Sequence, residues 1–334
     1  MAINLMNIKP HKVSRDLSTY ITYIYGPAGT GKTTLASQME KSLLLAFERG
    51  YNAIPGIMAQ DISTWGEMKQ VVRELKKQEI KDTFRCIVVD TVDIAAALCE
   101  KYICGQLGIE NIGDGGWSVN GWAKVKREFE EVFRTISQLG YSLFFISHSK
   151  DKTFKKQDGT EYNQIVTSLS TAYDEIIKNM VDIFGYAHPI VDENGNSKVM
   201  LTLRSGDNSV DAKSRFKYIK PEIEFNYQSL EKAINDAIDE EERVTQNKNL
   251  FTNERNTIEI KELNYEEIKN KFDTIVTQII QNHTDEEMVN TWSPKITQIT
   301  EKYLGKGKKA SQCTEDQKEQ LNLIVIELEE LIKE

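Results

Sequence analysis

No apolar run in the sequence approaches the ~20 residues that a membrane-spanning helix needs. The first residues, MAINLMNIKPHK, hold no apolar core of signal-peptide length. A cytoplasmic protein without a membrane role is therefore expected. Cysteine is scarce: Cys86, Cys99, Cys104 and Cys313 are the only four, and no two form a CxxC pair. That pattern fits reduced thiols in a cytosolic protein, not a disulfide scaffold. Net positive charge is also missing, since 42 Lys and Arg stand against 51 Asp and Glu for a formal charge of −9. A nucleic-acid binder that uses its whole surface is excluded, while local basic loops on an acidic body are not. No internal repeat is visible. What remains is a chain of 334 residues, 40% hydrophobic, long enough for one large domain and a smaller helical region.

Between about residues 20 and 227, short apolar runs alternate with amphipathic stretches, the pattern of an α/β domain. The runs ITYIY (21–25), SLLLAF (42–47), CIVVD (86–90) and SLFFIS (142–147) are strand-length and barely alternate. Parallel strands covered on both faces have this texture. Helical periodicity fills 32–41, 66–79, 93–107 and 120–139. After residue 150, DG and NG turn signals inside TFKKQDGTEYNQIV and IVDENGNSKVMLTLR predict two hairpins. The expected organisation is an N-terminal segment (1–19), the α/β core (20–227), an acidic helix and linker (228–258), and about three helices over 259–334.

The most specific motif is YIYGPAGTGKTT. Gly26, Pro27, Ala28, Gly29, Thr30, Gly31, Lys32, Thr33 and Thr34 fit the phosphate-loop pattern between a strand and a helix, the context it requires. Backbone N–H groups and the helix N-terminus would surround the phosphates of ATP, Lys32 would reach the β and γ oxygens, and Thr33 would offer its hydroxyl to Mg²⁺. In RCIVVDTVD, Asp90 ends an apolar strand beside that loop, suited to holding the metal's water shell with Thr33. Asp93 is expected to cap the helix that follows.

Residue 91 is Thr, not the Glu with which many ATPases of the AAA+ type activate water. A base must come from elsewhere or be absent. Glu48 ends the strand after the phosphate-loop helix, so it emerges on the rim where ligands of doubly wound sheets bind. Its functional reading is general base; its plain reading is a solvated strand end paired with Arg49.

With LLLAFERG and VVDTVD, the sequence resembles the RecA/RadA recombinase-type ATPases, and more closely the core-only RecA-like ATPases of phages, associated with single-strand annealing and recombination. The resemblance covers about residues 10–227 and implies a RecA-like P-loop NTPase core with a mainly parallel sheet, added hairpins and a small helical C-terminal region. It implies Glu48 as catalytic base and His148, in FFISHSK, as the strand-end residue sensing the γ-phosphate, where RecA members carry Gln. It implies contacts to single-stranded DNA from Trp117 in one loop and from Lys152, Phe154, Lys155 and Lys156 in a second. Trp122 is expected to pack as the first apolar residue of the 120–139 helix. The resemblance further implies Lys213 or Arg215 acting in trans on a neighbour's ATP, hence a homo-oligomer, with a single-strand-binding protein or other replication and recombination proteins as further partners. In a phage-encoded chain, the location would be the host cytoplasm. The competing functions are a helicase-loading, AAA+-like remodeller and an ATP-gated DNA-binding module without hydrolysis.

Overall fold

A computed structural model describes residues 6, 8–114, 116, 120–191, 193–207, 209–256 and 263–332. Two compact units are present, one within residues 10–260 and one holding the described residues before 10 and after 260. No helix among the described residues is long and apolar enough to cross a membrane.

The strands run, in chain order, β1 (Val13–Ser14), β2 (Thr22–Tyr25), β3 (Ser42–Ala46), β4 (Ala59–Asp61), β5 (Cys86–Asp90), β6 (Ser142–Ser147), β7 (Ser149–Lys155), β8 (Glu161–Thr167), β9 (Ile183–Val191), β10 (Ser197–Thr202), β11 (Lys213–Ser214), β12 (Glu222–Glu224) and β13 (Phe251–Thr252). The helices of the larger unit are α1 (Lys32–Ser37), α2 (Trp65–Glu74), α3 (Gln78–Thr83), α4 (Val92–Leu107), α5 (Gly121–Gln138), α6 (Thr171–Met180) and α7 (Tyr227–Thr245). In the smaller unit, α8 (Tyr265–Asn282), α9 (Ser293–Leu304) and α10 (Lys318–Leu331) enclose Phe272, Ile279, Leu321, Ile324 and Leu328.

The central sheet has the order β12-β10-β9-β2-β6-β5-β3-β4, with β11 on β9. From β9 to β4 every pairing is parallel, while β10, β11 and β12 add antiparallel strands at one edge. This is the RecA-like P-loop NTPase fold. All residues of β2, β5 and β6 are buried, as expected of parallel strands with both faces covered. On one face α2, α4, α5 and α6 bury Trp65, Phe129, Phe133, Phe145 and Tyr173. Each such aromatic contributes about 2–3 kcal/mol of transfer free energy. On the other face α1 and α7 cover Ile24, Leu44, Val88 and Ile146.

The periodic stretch 66–79 resolves into two helices, with α2 opened by a Thr64–Glu67 capping box and ended before Lys77. Helix α1 stops at Ser37, short of residue 41, where Lys41 turns left-handed (φ 49°) into β3. Within 228–258, α7 buries Leu230, Ile234 and Ile238 on the sheet, and β13 pairs in parallel with β1.

Candidate functional site

The sheet register brings the expected site residues to one rim. Ala46 pairs with Asp90, Asp90 with Ile146, and Tyr25 with Ser147. Gly26, Thr91 and His148, which directly follow their strands, and Glu48, two residues past the end of β3, therefore emerge at the same carboxyl edge. The backbone N–H groups of Phe47 and Glu48 donate to the Asp90 carbonyl at 2.7 and 3.3 Å, which ties the end of β3 to β5.

The phosphate loop is held open by backbone geometry. Gly29 and Gly31 take left-handed φ values of 79° and 85°, which cost glycine little. Lys32 is buried, and its Nζ donates to the carbonyls of Gly26 at 2.9 Å and Pro27 at 2.7 Å. Burial holds the Lys32 ammonium below its ordinary range, against an upward pull from Asp90, Glu48 and Asp93. The Thr33 hydroxyl donates to Asp90 Oδ2 at 2.6 Å. Burial pushes the Asp90 carboxyl above its ordinary range; Glu48 adds to this, while the Thr33 hydrogen bond, Lys32 and His148 act the other way.

Pro27 and Thr30 shape this loop from within, since the Thr30 hydroxyl donates to the Pro27 carbonyl at 3.0 Å. A cavity of about 390 Å³ is lined by Ala28, Gly29, Gly31, Lys32, Thr33, Thr34, Glu48, Asp90, Thr91, Ile146 and His148. Across it, His148 Nε2 and Glu48 Oε1 stand 3.5 Å apart. A lysine, a hydroxyl beside a carboxylate whose ionisation burial disfavours, and backbone N–H groups at a helix start make a donor set that fits a nucleoside triphosphate with Mg²⁺.

The β7–β8 hairpin starts at Ser149, directly after His148, and ends at Thr167. Phe154 and Tyr162 are cross-strand partners whose rings stack at 5.6 Å, with Lys152 Nζ 4.9 Å from the Phe154 centroid and Lys156 Nζ 5.7 Å from that of Tyr162. Strand alternation puts Lys150, Lys152, Phe154 and Tyr162 on one face, and Lys155 on the other, opposite Glu161.

Trp117 lies outside the described residues. Trp122 does not pack into the core as expected; it is 48% exposed. Gly121 takes the buried position instead, so close to Ile112 that a Cβ would stand 2.8 Å from its carbonyl oxygen. Lys213 and Arg215 lie at the opposite, amino-terminal rim: Lys213 pairs with Phe184, and Arg215 donates to the carbonyls of Val181 and Asn179 at 3.2 Å each. Within this chain they do not approach the phosphate loop.

Asp93 does not cap α4. The cap position is Thr91, which makes no side-chain cap bond, and Asp93 instead accepts a hydrogen bond from the Ser168 hydroxyl. Sequence reasoning missed Ser168. The signal was the DG turn, which pairs Lys155 with Glu161 and so sets Ser168 across from His148.

A family described as AAA domain matches residues 18–216, more than half of the chain. The SPbeta prophage-derived uncharacterized protein YorG of Bacillus subtilis (strain 168) is 28% identical over 347 residues, covering 100% of both chains. The flagellar accessory protein FlaH of Methanocaldococcus jannaschii aligns over 63% of this chain and 85% of its own, at 10% identity and a TM-score of 0.34. By the family match over residues 18–216, a range that contains the phosphate loop, this chain belongs to the AAA domain family of P-loop ATPases.

Proposed function

We propose that this chain is an ATP-hydrolysing protein that binds single-stranded DNA as an oligomer and serves phage-type recombination or annealing. The observation that carries the reading is the continuity of His148 with the hairpin: the residue that meets Glu48 over the cavity is followed at once by the strand bearing Lys152 and Phe154. Lysines beside stacked aromatics suit backbone neutralisation and base stacking, worth about 1–3 kcal/mol per base. The half-exposed Trp122 is a further stacking candidate.

In the proposed reaction, water attacks the γ-phosphorus in line, Glu48 takes its proton, and the bond to the β-phosphate oxygen breaks. Lys32 balances the charge moving onto the leaving oxygens, and His148 donates to the γ-phosphate. Mg²⁺ held by Thr33 and, through water, by Asp90 would supply charge neutralisation at the same oxygens. A basic side chain from a neighbouring copy, Lys213 or Arg215, would complete the site, so turnover would rise with assembly.

The test is ATPase rate against single-stranded DNA concentration, with sizing in the presence and absence of nucleotide. Stimulation of hydrolysis by DNA supports the reading. Hydrolysis indifferent to DNA favours the AAA-type remodeller, which the family match also fits. ATP-dependent DNA binding without hydrolysis favours the gated module.

A further inference from the structure

His148 stands at a joint. β6 ends one residue before it and β7 begins one residue after it, so its position depends on how that joint is clamped. The clamp comes from the far end of the hairpin. Ser168 N donates to the His148 carbonyl at 2.8 Å, and the Ser147 hydroxyl donates to the same carbonyl at 3.1 Å. The Ser147 and Ser168 hydroxyl oxygens are 3.4 Å apart, and Lys150 Nζ donates to the Ser168 carbonyl at 2.8 Å. Ser168 is in turn anchored by its hydroxyl to Asp93 Oδ1, on the first turn of α4 and three residues beyond Asp90. The other oxygen, Asp93 Oδ2, is buried and has no hydrogen-bond partner among the described residues.

We propose that Asp93 and Ser168 form a latch that positions His148 against Glu48 and fixes the root of the hairpin in the same act. The inference rests on the hydrolytic reading above for its kinetic part and on geometry alone for its structural part. Asp93 and Ser168 are positioning residues; neither is assigned a contact with the nucleotide. With the latch closed, the Asp90 strand, the His148 joint and the returning strand β8 move as one body. With it open, His148 and the hairpin lose their shared anchor.

The test uses the full chain and four substitutions. Ser168→Ala and Asp93→Ala open the latch, whereas Ser168→Thr keeps the hydroxyl and Asp93→Asn keeps an acceptor. The first two are expected to lower kcat about tenfold, with ATP affinity changed less than about twofold, and the second two to restore most of it. The double Ser168→Ala/Asp93→Ala variant is expected to lose no more than either single one, because both break one link. Hydrogen exchange over 149–167 in nucleotide-free protein is expected to rise in both alanine variants. The proposal is overturned if kcat stays within about twofold of the parent, if the two losses multiply, or if ATP affinity falls in step with kcat. Should the parent protein hydrolyse no ATP, the hydrolytic reading fails by itself. The exchange measurement then decides the latch, and unchanged protection of 149–167 would sink it.

Discussion

The two rims of the central sheet are built from the same residue types and treat them differently. At the amino-terminal rim, charges are spent on the fold. Arg255 donates to the carbonyls of Ser18 at 3.2 Å, Arg85 at 3.0 Å and Gly140 at 2.8 Å, closing three strand entrances at once. Asp182 accepts from the Ile21 N–H at 3.0 Å, and Arg215 lies 3.5 Å from it. At the carboxyl rim, buried Lys32 and Asp90 sit in a cavity, and Thr91 Oγ1 and Asp93 Oδ2 are buried without hydrogen-bond partners among the described residues. Thr22 Oγ1 is the corresponding orphan at the amino rim. The amino-terminal rim thus uses its charges to close strand entrances, whereas the carboxyl rim keeps a lysine and a carboxylate inside a cavity.

Breaking each rim should therefore have opposite signatures. The largest effect is expected from Glu48→Gln, which should cut ATP hydrolysis about 10²–10⁴-fold while ATP still binds; near-normal turnover would remove Glu48 from the mechanism. At the other rim, Arg255→Ala should cost about 2–3 kcal/mol in denaturant unfolding, because three carbonyls lose their shared donor. ATP affinity should not change, and a parallel loss of binding would blur the contrast between rims.

Phe154→Ala should weaken single-stranded DNA binding by about 1–3 kcal/mol. Lys155→Ala, on the other hairpin face, should matter less. Equal losses in a titration with a fluorescent oligonucleotide would break the assignment of faces.

The smallest effect is a gain. Burial raises the Asp90 carboxyl, so its ionisation works against the nucleotide-free fold. The contribution is fully favourable below the ordinary carboxylate pKa and is lost as pH rises through Asp90's raised value. Asp90→Asn should thus stabilise metal-free protein at neutral pH, and the advantage should vanish in acid. Thermal melts in chelator across pH check both the sign and the window.

Much of this contrast was legible in the sequence because buried parallel strands leave a strong mark. CIVVD and SLFFIS scarcely alternate, and both are buried throughout. The phosphate loop, Asp90, Glu48 and His148 were each legible as strand-end residues, whereas the 3.5 Å approach of His148 to Glu48 was not. Helix α6 was not legible: TAYDEIIKNM is short and follows a hairpin whose signals are extended. Trp122 misled because a helix start was assigned its bulkiest apolar residue as the buried one, whereas close contact with Ile112 admits only Gly121 there. The Asp93–Ser168 contact spans 75 positions and leaves no periodic trace; only the register imposed by the DG turn hints at it.

Gly26, the first residue of the phosphate loop, carries a consequence for the sheet's added strands. A Cβ at that position would stand 2.1 Å from the Ala187 carbonyl oxygen of β9. The loop and β9 thus share a party wall one backbone thick, with no side chain between them to absorb displacement. The hairpin of β9 and β10 grows directly out of that wall, so a push on the hairpin from a neighbouring molecule would reach the phosphate-binding backbone without passing through any side chain.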